Sequence, residues 1–123
     1  MAALNENSLA LLSTTASVNM QNAAGATTLY TVPIAKVARI SHVVVRDISA
    51  TLAGGTDFDF TQWRQTVDLS TMTTAGTDYM VIAGADVTKY QELAATTAFQ
   101  ITPSTGATGA ATATIDVFGY LTS

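Results

Sequence analysis

The stretch VARISHVVVRD, residues 37–47, indicates the fold more clearly than any other part of this 123-residue chain. It begins with apolar and polar residues in alternation, which is the period of a β-strand with one buried face. It then passes through Val43, Val44 and Val45, which make both faces of the strand apolar. Such a run is typical of a strand that is covered on both sides in its middle. The sequence therefore predicts a central strand here.

Shorter stretches of β-strand character lie on both sides of this central strand. Residues 56–63 alternate, with Asp57, Asp59 and Thr61 on one face, as a half-buried strand does. No helix of about ten residues or more is predicted beyond the N-terminal region. Seven or eight short strands separated by Gly, Pro and Ser predict an all-β chain, folded as an antiparallel β-sandwich or jelly roll. The other strands are predicted at residues 27–32, 78–82, 96–102 (ending at Pro103) and 110–121, with a short segment at 66–69 and no assignment for 90–93.

The first 26 residues differ in composition from the rest of the chain. Leucines are concentrated in the first half of this segment, and small polar residues fill most of the second half. The segment predicts an extended N-terminal arm over residues 1–26, docked on a neighbour, followed by a β-sandwich domain over residues 27–123. A disordered terminus is the alternative. The candidate contacts of the arm are Leu4, Leu9, Leu11, Leu12, Val18 and Met20.

Composition and charge exclude several classes of function. Hydrophobic residues make up 48% of the chain and charged residues 11%, with a net charge of −4 and no basic cluster, so nucleic-acid binding is not expected. The chain has no cysteine and one histidine, which excludes disulfides, thiolate nucleophiles and metal sites built from several cysteines or histidines. No stretch has the ~20 mainly apolar residues of a membrane-spanning helix. No signal-peptide pattern begins the chain, so we expect synthesis in a cytoplasm.

A catalytic role for His42 and a phosphate-binding role for the loop with Gly106 and Gly109 are both less favoured than a structural role. His42 lies within the central strand, no G-x-S-x-G nucleophile elbow is present, and Ser41 is expected on the opposite face of the strand. A structural histidine is therefore predicted rather than a member of a catalytic triad. Gly106 and Gly109 lie in a stretch that resembles a phosphate-binding loop, but the lysine and the following helix are missing. A loop or hairpin is predicted instead.

Asp57 and Asp59 form the one pair of carboxylates that the strand pattern places on a common face. Such a pair could bind calcium, or act as the acid and base of a hydrolase. The further oxygen ligands of a calcium loop do not follow in the sequence. The favoured interpretation is a solvated strand face, paired with Arg46 or Arg64.

Aromatic residues provide a second candidate function, the stacking of sugars. This function requires several of them to cluster on one exposed surface, whereas a single tryptophan is more often an anchor in a core or interface. The candidates are Trp63, Tyr30, Tyr79, Tyr90 and Tyr120.

The strands are poorly protected by charge, which favours assembly. Lysines commonly guard the edges of free sheets, but Lys36 and Lys89 both fall in or beside loops. The outward strand faces carry Thr, Ala and Ser, which lose little hydration energy when they are buried in a contact. The alternative explanation is that threonine simply has high β propensity.

Three stretches resemble the small structural proteins of tailed bacteriophages. They are ATTLYTVPIAKVARISHVVVRD (26–47), AGGTDFDF (53–60) and ATATIDVFGYL (111–121). The resemblance implies a β-sandwich virion component: a capsid decoration (cement) protein, a head-fibre base or a tail-associated module. Proteins of this type often form trimers on capsid symmetry axes and use terminal arms to clasp neighbouring subunits.

The sequence thus leads to a primary expectation and an alternative. The primary expectation is a non-enzymatic decoration protein on the outer capsid surface, a homotrimer that binds the major capsid protein and needs no cofactor or metal. Its body is expected to bridge adjacent capsid subunits and its arm to lie along a neighbour, so removal of residues 1–26 should abolish capsid binding and leave a folded body. The alternative is a tail- or fibre-associated module, an adhesin that binds host-surface carbohydrate.

Overall fold

The structure is a computed structural model that describes residues 8–61, 63, 65–83 and 92–123. In this part of the chain every regular element is a β-strand, and the strands form two antiparallel sheets packed as a sandwich. The all-β prediction is confirmed. The strands are β1 (Ala10–Asn19), β2 (Thr27–Thr31), β3 (Val37–Arg46), β4 (Asp57–Phe60), β5 (Gln65–Val67), β6 (Met80–Ala83), β7 (Glu92–Leu93), β8 (Ala98–Thr105) and β9 (Thr112–Thr122).

The chain passes back and forth between the two sheets. The first sheet has the strand order β1-β9-β3-β6, and β7 also pairs with β3. The second sheet has the order β2-β8-β4-β5. β3 is central in the first sheet, since it pairs with β9 on one side and with β6 and β7 on the other.

The inner side chains of both sheets meet in one hydrophobic core. β9 alternates as the sequence indicates, with Ala113, Ile115 and Val117 buried in this core. Complete burial of a large apolar side chain contributes roughly 1.5–3 kcal/mol. The largest fully buried side chains include Phe58, Phe60, Phe99, Met20, Ile48, Leu52, Leu69, Met72 and Ile101.

Two expectations for the central strand are changed, the first of them by a β-bulge in β3. Ile40 pairs with Gly119 and His42 with Phe118, so Ser41 is an extra residue in β3. The prediction that Ser41 lies opposite His42 is wrong, because the bulge brings Ser41 Oγ to 3.1 Å from His42 Nδ1. The strand is also covered on one side only: Val43 is buried in the core, whereas Val44 points outward and is half-buried.

β8 continues through Pro103, although the sequence analysis ends the strand there. Gln100 exchanges hydrogen bonds with Thr61 on the β4 side, so by alternation the nitrogen of Pro103 faces the β2 side. β2 begins at Thr27, opposite Ile101. No strand of the described chain pairs with β8 at that point, and the missing N–H of proline costs no ladder hydrogen bond.

The N-terminal segment is part of the sandwich from residue 10 onward. β1 pairs with β9 along its length, and Ser13 Oγ donates to the carbonyl of Leu29 in the second sheet (2.7 Å). Val18 and Met20 are buried in the core. Removal of residues 1–26 therefore deletes a sheet strand and two core side chains, and we expect it to unfold the protein rather than leave a folded body.

Candidate interaction surfaces

His42 lies flat on the outside of the first sheet. Its ring stacks on Phe118, with 4.6 Å between the ring centroids and 8° between the planes. Ser41 Oγ lies within hydrogen-bond distance of Nδ1. This packing supports a structural role for the imidazole.

The carboxylate of Asp59 accepts hydrogen bonds from hydroxyl groups of the two neighbouring strands. Ser104 Oγ and Thr66 Oγ1 both donate to its carboxylate, and these hydrogen bonds lower the pKa of Asp59. A general acid requires the opposite, a raised pKa. Arg46 pairs with Asp116 instead of Asp57 or Asp59, and Arg64 lies outside the described residues.

Within the described residues, no group of three or more His, Cys, Asp or Glu side chains is placed to hold a metal ion. No helix with the length and apolarity needed to cross a membrane occurs in that part of the chain. Gly106 lies in a closely packed loop, where a Cβ atom would come within 2.7 Å of Met20 O.

The aromatic residues do not form one exposed platform. Trp63 packs on Phe60 and Phe99, with centroid distances of 5.5 and 5.4 Å. Tyr30 packs against the core, and burial raises its pKa. Tyr120 is half-buried on the outside of β9, and Tyr90 lies outside the described residues.

Tyr79 is the aromatic exception, because its side chain is 70% exposed. It lines an open cleft of about 440 Å³ together with Asp78, Thr71 and Thr77. The Asp78 carboxylate accepts hydrogen bonds from two backbone N–H groups, those of Thr73 (2.8 Å) and Thr74 (2.9 Å). These bonds hold the pKa of Asp78 below its usual range.

One end of the sandwich carries a protruding apolar side chain. Ile34 is 83% exposed, at the tip of a turn closed by a hydrogen bond from Lys36 N–H to Pro33 O (3.2 Å). Ala35 has a φ of 62°, a left-handed conformation that costs a residue with a Cβ atom roughly 1–2 kcal/mol. We call this region the Ile34 end: Leu9, residues 32–36, residues 94–97 and residues 121–123. The strand registers place the start of β1 and β3 and the end of β9 there.

The opposite end of the sandwich is acidic. It contains the loops between β3 and β4, between β5 and β6, and between β8 and β9. We call it the acidic end, after the four aspartates in or beside these loops: Asp47, Asp57, Asp68 and Asp78. No aspartate occurs at the Ile34 end among the described residues.

The outer face of the first sheet carries apolar and aromatic side chains together with the ion pairs Arg46–Asp116 and Arg39–Glu92. We call this face the Phe118 face, after its apolar and aromatic members: Leu11, His42, Val44, Val81, Phe118 and Tyr120. Leu11 and Val81 are 54% and 56% exposed. They lie at opposite sides of the face: Leu11 is opposite Phe118 in the pairing of β1 with β9, and Val81 is opposite Val44 in the pairing of β6 with β3.

The charges on the Phe118 face are paired within the described chain. Arg46 Nε donates to Asp116 Oδ2 (2.8 Å), and Thr14 Oγ1 donates to Oδ1 (2.8 Å). The Arg46 hydrogen bond, with help from Thr14, lowers the pKa of Asp116. Arg39 Nη2 lies 3.4 Å from Glu92 Oε2. These bonds join β1, β9, β3 and β7 across the face.

The six candidate contacts of the predicted arm differ in their burial. Leu9 and Leu11 are exposed and Leu12 packs against the core. Val18 and Met20 are buried within the same chain, so they are not available to a neighbour. Leu4 lies outside the described residues.

Sequence reasoning did not single out Ile34, Val81 or Phe118 as surface contacts. Of these three, only the exposure of Ile34 could have been predicted from the sequence. Ile34 follows Pro33 in a short turn between two strands, and a turn at the end of a sandwich cannot bury a large apolar side chain in the core. No family model matches the chain, and no match was found among curated proteins or solved structures.

Proposed function

We propose that this chain is a non-enzymatic virion protein of a tailed bacteriophage, made in the host cytoplasm, that decorates the outer capsid surface and stabilises it. It acts as a homo-oligomer, a trimer in the simplest case, and it binds the major capsid protein through the Ile34 end. The strand orders β1-β9-β3-β6 and β2-β8-β4-β5 support a jelly-roll interpretation of the sandwich.

The exposure of Ile34 carries this proposal. A large aliphatic side chain that is 83% exposed gains free energy when a partner surface receives it, because its apolar area is then removed from water, and backbone strain of the kind at Ala35 occurs often at binding sites. Burial of Ile34 in a capsid pocket contributes roughly 1.5–3 kcal/mol per subunit. Joining several subunits multiplies the effect by avidity, so each contact can be weak.

The charge distribution supports docking by this end rather than the other. The aspartates of the acidic end require hydration, and their burial against a neutral protein surface is unfavourable. The Ile34 end instead presents Leu9, small residues and Lys36, whose Nζ donates to Ser123 Oγ (3.2 Å). β1 also begins at this end, directly after Leu9.

Co-sedimentation with undecorated phage heads tests the proposal. The Ile34→Ser variant is expected to bind at least about tenfold more weakly than the wild type, since 1.4 kcal/mol corresponds to a factor of ten. Tyr79→Ser is the matched control, because it removes an exposed apolar side chain at the acidic end. Failure of the wild type to bind heads, or equal binding by Ile34→Ser, would refute the proposal.

A second function is favoured by Tyr79: a tail- or fibre-associated adhesin that binds host-surface carbohydrate. An exposed aromatic ring beside a carboxylate and threonine hydroxyls is chemistry suited to sugars, with the ring as the stacking surface. This function predicts saccharide binding that Tyr79→Ser abolishes and Ile34→Ser preserves. Absence of binding across a glycan panel would exclude it.

A further inference from the structure

The outer face of the second sheet is hydrophilic and internally bonded. Thr66 and Ser104 donate to Asp59, and Gln100 Nε2 donates to Thr28 Oγ1 (2.9 Å). These side chains are half-buried or exposed. Water can solvate their remaining polar atoms, so this face has no need of a partner.

The Phe118 face of the first sheet has a different composition. Leu11 and Val81 are exposed at its two sides, and Phe118 stacks on His42 between them. Its exposed charged side chains, Arg39, Arg46 and Glu92, are held in ion pairs. Apolar side chains on the outside of this sheet are not required by the sandwich fold, since each sheet needs only one apolar face. Several of them on one face are characteristic of a surface that is covered in an assembly.

We propose that the Phe118 face is the surface through which one copy of this chain binds a second copy. The inference rests on the proposed homo-oligomer and deepens it, because it names the surface through which the copies are joined. The face lies along the side of the sandwich, so packing on it leaves the Ile34 end open for docking.

The pairing of charges on this face supports a neutral, apolar occupant. In the described chain Arg46 is bound to Asp116, and Arg39 to Glu92. Burial of the face therefore strips water from no unpaired charge among these groups. A strongly acidic or basic partner finds little to complement here, whereas the apolar surface of a second copy has the required character.

Charge elsewhere on the molecule also permits contact between copies. The chain has a net charge of −4, so two copies repel one another at long range. The four aspartates of the acidic end lie at one tip of the sandwich, and Asp59 lies on the other sheet. The Phe118 face is thus the side on which two copies approach with the least repulsion.

The size of the face is close to that of a modest stable interface. β1, β3 and β9 are 10, 10 and 11 residues long, and β6 adds four residues. With about 4.8 Å between strands and about 3.3 Å per residue, the face covers roughly 500 Å² in projection. Side-chain relief increases the accessible area beyond this projection. Standard interfaces begin at about 600 Å² per partner, so we expect association that depends on protein concentration.

Sedimentation velocity across a wide range of protein concentration tests the proposal. The wild type is expected to form an oligomer, and Val81→Glu is expected to associate at least about tenfold more weakly, because a charge is then buried in the contact. Thr31→Glu is the matched control, since it places the same charge at an exposed position on β2, an edge strand of the second sheet. Circular dichroism verifies that both variants are folded.

A labelling experiment keeps the test independent of any effect of the glutamate on folding. The chain has no cysteine, so Val81→Cys and Thr31→Cys each introduce a single thiol. Maleimide labelling at position 81 should slow as the concentration rises, while labelling at position 31 should not. The inference would be overturned by a wild type that stays monomeric or by unchanged association of folded Val81→Glu. It would also be overturned if the labelling rates at positions 81 and 31 depended on protein concentration in the same way. Capsid binding is measured separately by co-sedimentation of the Ile34→Ser variant, so a failure of the Phe118 contact is distinguishable from a failure of capsid docking.

Discussion

Replacement of Met20 tests whether the N-terminal strand belongs to the folding unit or is an attached arm. Met20 is fully buried, its N–H donates to Ala111 O (2.9 Å) and its carbonyl accepts from Ala107 N–H (2.8 Å). Met20→Ala keeps these backbone bonds and removes core packing, which costs about 2–5 kcal/mol. A domain of this kind has about 5–15 kcal/mol of total stability, so the loss is a large fraction of it.

The assay is urea unfolding followed by the fluorescence of Trp63, the single tryptophan of the chain. Trp63 contacts Phe60 and Phe99 at the core, so its emission reports the sandwich. Met20→Ala should lower the midpoint without changing the denaturant dependence. Leu9→Ala, at an exposed site just before β1, should change stability by no more than about 0.5 kcal/mol. Equal, small effects of the two variants would mean that residues 10–20 form a detached arm.

The remaining predictions concern a strand contact, an ion pair and a hydroxyl network. Gly119→Ala places a Cβ atom against a backbone carbonyl of β3 and should cost about 3 kcal/mol or more, whereas Gly109→Ala, with open space around it, should be nearly neutral in thermal unfolding. Because folding lowers the pKa of Asp116, its contribution is complete above the unfolded pKa of about 3.9 and is lost as the pH falls through the folded pKa. Asp116→Asn should therefore be less stable than the wild type by about 1.5 kcal/mol at neutral pH, and a difference that persists in urea unfolding at acid pH would contradict this cause. Ser104→Ala should raise the pKa of Asp59 toward its ordinary value in an NMR titration, because it removes the largest cause of the lowered value.

The strands with regular alternation could be predicted from the sequence. In β9, Ala113, Ile115 and Val117 enter the core at every second position, and the predicted strands 27–32, 56–63, 78–82 and 110–121 are present with ends that differ by at most three residues. Alternation is a local property, because successive side chains of a strand point to opposite faces. The class of the fold follows from such local patterns.

β1 was not predicted as a strand, because bulges interrupt the alternation of its apolar and polar residues. Its pairing with β9 shifts between Leu11 and Ser13 and again between Thr15 and Val18. Each shift moves the following side chains to the other face, so the apolar residues show no constant period. A segment of this kind looks like an arm in the sequence and is a sheet strand in the structure.

The side chains that come together on each surface also could not be predicted from sequence patterns. Asp116 finds its partner Arg46 at a separation of 70 residues, and the Phe118 face assembles side chains from four strands. Sequence alone determined that the chain is all-β, poor in charge and without cysteine chemistry, because composition and period are properties of neighbouring residues. Only the tertiary structure decided which apolar side chains stay outside, because exposure depends on the strands that the fold brings together from distant parts of the chain.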